Sequence, residues 1–449
     1  MVDTPVKNRG MLRRVGGFYG RLPVLGWLLA GLVAALLENP YVFDPLLEAL
    51  GAATLNNSLG EMLAEVCGLP KIPVLFGFTI ALKKPFLVPG ALAYLVLIYL
   101  LPVTLVTALA SKRCNRAAAW LQRRPTWVTA VVHMALCYAV LHVWADVSAY
   151  RVLVLKLTMI AVMLTLSLNL INGYMGEFSC SHPGFMALGA YAASAITVGL
   201  FVNDKLFGPA LLPEALGPWL FPLALVFGGL VASLGALVVA IPSFRTRGDY
   251  LAIISLAFLF IVKSIIENLE FIGGPRGLGK QPDWSTLFTV FAWTMLCLWT
   301  INNYVRSTYG KAMNAVRDDE IAATAMTVDT RRTKMVTFLL SAFWAGVAGG
   351  LFAHVLRYVN PGTFGIQKLA EMLAMVYFGG LNSLYGSIVG AVSISMLGEA
   401  LRPLEIWKWI IIPLLLILVM IYRPTGLIAF KELDVKSALG PRGRRGEEG

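Results

Sequence analysis

The chain has 449 residues, of which 58% are hydrophobic and only 14% are charged, and its formal net charge is +12. Soluble domains carry about 25% charged residues, so this composition excludes an ordinary soluble domain and indicates a protein that crosses a membrane many times. Positive charge in such a protein marks loops on the cytoplasmic side, near anionic lipid. The net charge is therefore interpreted as a topology signal rather than as a nucleic-acid surface.

Twelve apolar runs follow one another along the chain and predict an all-α fold, a polytopic integral membrane helix bundle. Since a helix needs about 20 apolar residues to cross a bilayer, about two spans are expected before residue 126 and about ten after it. The runs lie at 24–37, 86–110, 126–147, 152–171, 185–202, 219–241, 249–272, 284–301, 335–356, 367–381, 384–399 and 408–422. The first run and the last three are short, and 367–399 is compatible with two spans or with a re-entrant segment.

Lys and Arg fall mostly on one side of the membrane when the spans alternate from a cytoplasmic N-terminus. The inner segments then hold 24 of these residues and the outer segments hold 9. The basic inner segments are 1–21, 111–125, 242–248, 302–334 and 423–449. This distribution follows the positive-inside rule. It predicts a multi-pass membrane protein with both the N-terminus and the C-terminus in the cytoplasm.

The composition of the chain changes near residues 125 and 430. Residues 1–125 are predicted to be an N-terminal extension with about two membrane spans and an external loop, since the stretch between Glu38 and Pro85 is rich in proline and too polar to span. Residues 126–430 hold apolar runs joined by mostly short turns, and they are predicted to be the working core. Residues 431–449 form a basic tail that is predicted to be cytoplasmic and disordered.

Two stretches of the core, 169–191 and 378–391, are interrupted by several glycines and small polar residues. Backbone that leaves the helix inside a membrane must line a cavity or be buried in protein, and paired broken helices in a transporter point to its central site. Close helix packing through small residues is the alternative. The first stretch favours the pathway because it also carries Asn169, Asn172, Glu177, Ser179 and His182. For the second stretch the two interpretations are equal.

A long polar stretch, 302–334, separates two apolar runs and carries six Lys or Arg residues. Its centre, 311–326, is rich in Ala and has neither Gly nor Pro, which predicts a helix with a surface that a partner can approach closely. A charged helix held between two membrane spans is interpreted as a lever rather than as a linker.

The sequence offers no convincing catalytic or metal-binding pattern. The run Gly274–Lys280 is followed by Gln281, whereas a phosphate-binding loop needs Ser or Thr there, so a tight turn is predicted instead. The histidines have no zinc spacing, and no nucleophile elbow is present. Lys263 and Glu267 are expected to pair on one helix face. The chain is therefore predicted to be a transport protein and not an enzyme, with no metal and no cofactor of its own.

Glu371 and Glu399 are the intramembrane carboxylates that are hardest to dismiss. Ionisable residues inside a membrane are costly and indicate function, so these two would serve an ion-coupled carrier that works alone. With Glu371 included, the candidate pathway residues are Asn169, Gly173, Gly176, Glu177, Ser179, His182, Glu371, Gly379, Gly380, Ser383 and Gly386. Small residues, amides and hydroxyls with few fixed charges suit a small, net-neutral solute.

Several blocks between residues 150 and 430 resemble a known family when they are taken in order. Residues 166–191 contain GYMGEFSCSH and then GAY, and residues 244–278 run from FRTRGDY to GGPRGL. Residues 309–390 contain GKAMNAVRDDEIAA and GGLNSLYG, and residues 422–427 read YRPTGL. In this order the blocks resemble the M-type permease subunit of branched-chain amino-acid (LIV-type) ABC importers.

The resemblance implies an importer of the bacterial inner membrane that works with a homologous second permease subunit, two cytoplasmic ATP-binding subunits and a periplasmic solute-binding protein. ATP and Mg would bind to the partner ATPase and not to this chain. The implied solute is a branched-chain amino acid, with urea or a short amide as the alternative in the same superfamily. The loop that docks on the ATPase is implied to contain Arg317, Asp318, Asp319, Glu320, Ala322 and Ala323.

Three residues depart from the family's pattern. Thr327 stands where the docking loop usually has Gly, Ser181 where Gly often precedes the histidine, and Glu177 where Gln is common. These departures bear on the local shape at the end of the loop and on the identity of the solute.

Overall fold

A computed structural model describes residues 17–39, 42, 45, 85–203, 206–244, 250–402, 407–423, 425–428 and 439–441. Most of the predicted external loop and most of the basic tail lie outside the described residues. So do Arg245 and Arg247 of the FRTRGDY block.

The chain divides into two compact units. The first comprises the described residues of 1–152, 399–404 and 434–449, and the second those of 153–398 and 405–433. A domain limit at residue 125 stays a prediction.

The first unit contains α1 (Val24–Leu37), α2 (Pro85–Gln122), α3 (Thr126–Ala145) and the first turn of α4 (Ala149–Asn169). A buried ion pair joins these helices: Arg151 donates to Glu38 across 2.9 Å, and Tyr94 donates to the same carboxylate across 2.7 Å. The Arg151 guanidinium also lies over the Trp144 ring, 5.1 Å from its centroid. Because both charges are sheltered from water, removing either one would leave the other uncompensated.

The second unit is built from the rest of α4 and from helices that follow the predicted runs. A π-helical turn, Leu170–Met175, continues α4. The helices are α5 (His182–Phe201), α6 (Gly217–Ser243), α7 (Tyr250–Asn268), α8 (Leu287–Arg306), α9 (Thr308–Asp318), α10 (Glu320–Ala325), α11 (Thr330–Leu356), α12 (Ile366–Gly379), α13 (Leu384–Ala400) and α14 (Lys408–Tyr422).

The lengths and compositions of the helices confirm the predicted all-α membrane bundle. Within the described residues, seven helical stretches are long and apolar enough to span a membrane, and shorter apolar helices add to them. The long stretches are Pro85–Gln122, Thr126–Ala145, Ala149–Met175, His182–Phe201, Glu214–Ser243, Leu251–Asn268 and Thr330–Leu356. The segment 367–399 forms two helices, α12 and α13, and both interpretations of it, two spans or a re-entrant segment, stay predictions.

The run that falls one residue short of a phosphate-binding loop is a turn, as predicted. Gly273 and Gly277 both adopt positive φ angles, 95° and 77°, around a short 3-10 segment. The chain then enters a two-residue strand, β1 (Leu278–Gly279), which pairs antiparallel with β2 (Tyr358–Val359). No helix follows the glycines directly, so the helix N-terminus that would hold a phosphate is not there.

Close packing of α5, α6 and α11 forms the centre of the second unit. A Cβ at Gly189 would overlap the carbonyl oxygen of Gly346, and one at Gly228 would lie 2.8 Å from the carbonyl oxygen of Gly189. Backbone therefore meets backbone, which is how small residues hold membrane helices together. The α5 and α11 helices run parallel, since Thr197 bonds to His354 near their C-terminal ends just as His182 bonds to Ser341 nearer their N-terminal ends.

We expect Gly189→Ala to destabilise the protein, whereas Gly199→Ala in the same helix should not. Both changes favour the helix intrinsically, but a methyl group at 189 collides with the α11 backbone, while one at 199 lies 3.4 Å from the Phe207 ring. Overpacking of this kind costs about 1–3 kcal/mol. Thermal unfolding of the purified protein in detergent measures the difference, and equal melting temperatures for the two variants would contradict the packing argument.

Candidate functional site

The first glycine-rich stretch is an interruption between two helices. The α4 helix ends at Asn169, the π turn follows, and Gly176 then takes a left-handed conformation with φ of 75°. Residues 176–181, which we call the first broken segment, have no regular structure, and α5 begins at His182. The expected break in the helix is present.

The second stretch is interrupted in the same way. The α12 helix ends at Gly379, and both Gly380 and Asn382 have positive φ angles, 125° and 55°. Residues 380–383, the second broken segment, lead directly into α13.

Asn169 joins the two interruptions. Its side-chain amide donates to the Ser387 hydroxyl across 2.7 Å and to the carbonyl oxygen of Ser383 across 3.1 Å, and its oxygen accepts from the backbone N–H of Asn382 across 3.3 Å. Gly173 makes room for this contact, since a Cβ there would overlap the Asn169 side chain. The two glycine-rich stretches, more than 200 residues apart in sequence, therefore meet at one place.

The glycines of the second stretch mainly serve close packing. A Cβ at Gly379 would overlap the carbonyl oxygen of Gly386, and one at Gly386 would lie 2.6 Å from the carbonyl oxygen of Ile428. The closing motif of the chain returns here, because Leu427 and Ile428 donate to the carbonyls of Phe378 and Gly379. Close helix packing thus explains why glycine stands at 379 and 386. The assignment of Gly380 and Ser383 to the pathway stays a prediction.

The two serines of the first broken segment are buried and bonded to each other. Ser179 and Ser181 share a hydrogen bond of 2.9 Å between their hydroxyls, and the backbone N–H of Ser179 donates to Asn172. His182 Nε2 lies 3.0 Å from the Ser341 hydroxyl, whose own proton is donated to the carbonyl of residue 167. Because the hydroxyl proton is used there, His182 carries its proton on Nε2 and leaves Nδ1 as an acceptor.

The carboxylates that an ion-coupled carrier would use have partners. Lys368 donates to Glu371 across 2.9 Å, and Tyr150 donates to Glu399 across 2.7 Å with Arg402 also nearby at 3.5 Å. Lys263 and Glu267 pair on one helix face as predicted, at 3.8 Å. Neither Glu371 nor Glu399 is therefore an isolated charge of the kind that marks a proton or ion site.

The polar stretch 302–334 is more structured than its composition predicts. The single helix expected over 311–326 is wrong: α9 and α10 are separate, because Asp319 is extended and its carboxylate caps α10 by accepting from the N–H groups of Ile321 and Ala322. The flanking helices extend beyond the apolar runs into this stretch. The α8 helix ends at Arg306, and α11 begins at Thr330 with Asp329 as its N-cap.

Thr327 adopts the conformation for which the family's glycine is suited. Its φ is 65°, and Val328 donates back to the carbonyl of Ala323, which closes the C-terminal end of α10. Left-handed backbone is strained for a β-branched residue. The departure from the family's pattern therefore leaves the shape of this turn intact and adds strain to it.

The residues of α9 and α10 divide into internal and exposed ones. Ala323 is buried and Asp319 caps the helix, whereas Ile321 and Met326 are 82% and 77% exposed. Arg317 pairs with the neighbouring Asp318, Glu320 is half exposed, and Ala322 is exposed. Large apolar side chains that are exposed beside charged ones suggest a contact surface for another protein. Sequence reasoning missed Ile321 and Met326, although an Ile in so polar a stretch was a usable signal.

Contacts tie this helix pair to the first broken segment. The Lys334 ammonium lies 2.7 Å from a Glu177 oxygen and 2.9 Å from a Glu320 oxygen. The Arg317 side chain lies over Gly176, where a Cβ would be 2.5 Å from Arg317 Cγ. The structure therefore brings together Glu177, Glu320 and Arg317 from the predicted pathway and docking residues.

A bundle of apolar helices with two broken helices that meet, and with an exposed helix pair linked to one of them, defines the class of a multi-pass membrane permease. Residues 150–421 match the protein family described as "Branched-chain amino acid transport system / permease component". The chain belongs to this family. It is a transport subunit of the inner membrane rather than an enzyme.

Individual relatives agree with the family. The chain is 30% identical to the high-affinity branched-chain amino acid transport system permease protein LivM of Escherichia coli over 325 residues, which are 65% of this chain and 72% of LivM. Identity to LivM of Salmonella typhimurium is 31% over 66% of this chain and 73% of that protein. The chain also matches the E. coli permease LivH, at 28% identity over 31% of this chain and 46% of LivH. No solved structure matches.

We expect Asn169→Ala to lower both uptake and stability, because it removes the bonds to the Ser387 hydroxyl and the Ser383 carbonyl and takes away the acceptor of the Asn382 N–H. A buried polar group left unsatisfied costs about 1–3 kcal/mol. Asn268→Ala is the matched control, since that amide is exposed and bonds only within its own helix. Thermal unfolding and solute uptake in cells measure the effect. If Asn169→Ala behaves like Asn268→Ala, the junction between the broken segments is dispensable.

Proposed function

We propose that this chain is the membrane-spanning permease subunit of an ABC importer that moves branched-chain amino acids with energy from a separate ATP-binding subunit. The observation that carries the proposal is the exposed α10 helix, with Ile321 in it and Met326 directly after it, bonded through Lys334 to the first broken segment. A helix that offers an apolar surface to a partner, and that is bonded to an interrupted membrane helix, can pass the partner's movement into the membrane.

The proposed cycle needs no chemistry from this chain. ATP and Mg bind to a pair of cytoplasmic ATPases, and closure of that pair moves α10 together with Arg317, Asp318, Asp319, Glu320, Ala322 and Ala323. The movement switches the pathway between outward and inward access. The proposal places α10, the N-terminus and the C-terminus in the cytoplasm, which agrees with the basic segments of the sequence.

The proposed partners are a homologous second permease subunit, two ATPases and a periplasmic solute-binding protein. Similarity to both LivM and LivH supports a pair of related permeases. Two permeases would supply the two sides of one pathway, with Asn169, Ser179 and the second broken segment on this side.

The solute is proposed to be a branched-chain amino acid, as the printed names of the relatives suggest. The polar groups near the junction of the broken segments are amides and hydroxyls of Asn169, Ser179, Ser181 and Ser387. Such groups suit a solute without net charge. An ion-coupled carrier is disfavoured because Glu371 and Glu399 both have bonded partners.

The test is co-purification with a tagged candidate ATPase and the second permease, followed by uptake of radiolabelled leucine into vesicles. We expect Ile321→Asp to reduce ATPase recovery about tenfold or more, as the loss of a central apolar contact does. The side chain is largely exposed, so the fold should be kept.

Leu211→Asp is the matched control, because Leu211 is 75% exposed but follows the C-terminal end of α5, whereas α10 lies near its N-terminal end. A 20-residue helix separates the two ends by about 30 Å. Equal ATPase recovery with Ile321→Asp and with the unchanged protein would contradict the docking role of α10. Uptake of leucine without any ATPase would contradict the proposed function itself.

A further inference from the structure

Lys334 lies where three distant parts of the chain meet. Its ammonium is shared by Glu177 of the first broken segment and Glu320 at the start of α10, at 2.7 and 2.9 Å. Lys334 itself belongs to the first turns of α11, one of the three closely packed helices. Only 11% of its side chain is exposed, while that of Glu320 is 50% exposed. One sheltered cation therefore connects the central helices, the exposed helix pair and the interrupted pathway helix.

A second contact joins the end of α9 to the first broken segment. The aliphatic part of Arg317 covers Gly176, and Asp319 holds the start of α10 immediately after it. Residues 176 and 177 are thus touched from one side by the end of α9 and bonded, through Lys334, to the start of α10. A displacement of the two short helices moves both contacts at once, so the first broken segment must follow it.

The charges explain why Lys334 is essential to this connection. Two carboxylates face a single ammonium, which leaves the cluster with one excess negative charge. Without the ammonium, two carboxylates would lie close together and partly sheltered from water, and they would repel each other. The loss of Lys334 therefore turns an attraction between α10 and the first broken segment into a repulsion.

We propose that Lys334 is the positioning residue that transmits the movement of α10 to the first broken segment, so that opening of the pathway is tied to the ATPase cycle. This inference rests on the proposed function. It assigns two tasks to different residues. The exposed residues of α10 bind the ATPase, and Lys334 transmits the movement of α10 to the first broken segment. A variant without the ammonium still binds the ATPase but no longer uses its movement.

The experiment uses the complete complex, with both permeases and the ATPases, in vesicles with a candidate binding protein. Transport of radiolabelled leucine and ATP hydrolysis are measured on the same preparation, and their ratio is the readout. Lys334→Met is expected to keep ATPase recovery and hydrolysis while the ratio falls about fivefold or more, the size of a typical coupling between sites. Lys334→Arg should restore most of the ratio, because a guanidinium can serve both carboxylates.

Lys263→Met is the matched control, since it breaks an ion pair within a single helix and joins no separate elements. Its ratio should equal that of the unchanged complex. If Lys334→Met also keeps the full ratio, the inference is overturned while the proposed function stands. If the unchanged complex moves no leucine on addition of ATP, the proposed function fails and the inference falls with it.

Variants of the two carboxylates keep the test decisive if Lys334→Met does not fold. Glu177→Gln retains a hydrogen-bond acceptor for the ammonium and should keep most of the ratio, whereas Glu177→Leu should lower it. Glu320→Leu and Glu177→Leu combined should lower the ratio less than the two effects multiplied, because both act through the same ammonium. Unchanged ratios in Glu177→Leu and in Glu320→Leu would overturn the inference.

Discussion

Every backbone N–H and C=O inside a bilayer needs a partner within the protein, and this need governs the arrangement of the two broken segments. Asn169 meets part of it, since one side chain serves the N–H of Asn382 and the carbonyl of Ser383. Gly173 leaves the room in which that side chain lies. The first broken segment is served by other side chains, since the N–H groups of Ser179 and Cys180 donate to Asn172 and Ser255. Both interruptions therefore depend on buried polar side chains that gather around them.

The close contact of α5, α6 and α11 limits which parts of the second unit can change. Where backbone lies against backbone, as at Gly189 and Gly346, small shifts create overlaps, so the three helices are expected to move as one body. The second broken segment is also constrained, because a Cβ at Gly426 would overlap the Cα of Gly380. Residues 176 and 177, by contrast, meet α9 and α10 through the side chains of Arg317 and Lys334. Conformational change in this permease is therefore expected in the first broken segment and in the short helices α9 and α10, with the central helices as the fixed reference.

Hydropathy was sufficient to predict the apolar helices, because the bilayer imposes a length and a composition on each of them. The sidedness inferred from the charges stays a prediction. The order of the sequence blocks was sufficient to predict the family. The glycines correctly predicted both interruptions of the helices. The pairing of Lys334 with Glu177 was beyond sequence reasoning, since 157 residues separate them and nothing local signals the contact. The break at Asp319 was within reach, because Asp is a favoured N-cap, but the Ala-rich composition around it suggested one continuous helix. Thr327 shows the opposite case, in which a residue that differs from the expected glycine still adopts its conformation.

The sheltered position of Lys334 bears on how the protein behaves when the salt content of its surroundings rises. Mobile ions weaken attractions between charges in water over about 8 Å at physiological ionic strength, but they act far less on groups that solvent hardly reaches. The Lys334–Glu177 contact, with side chains that are 11% and 26% exposed, is therefore expected to lose little strength when salt increases. The Lys334–Glu320 contact is expected to weaken more, because the Glu320 side chain is 50% exposed. A rise in ionic strength would thus loosen the link to α10 before it loosens the link to the first broken segment.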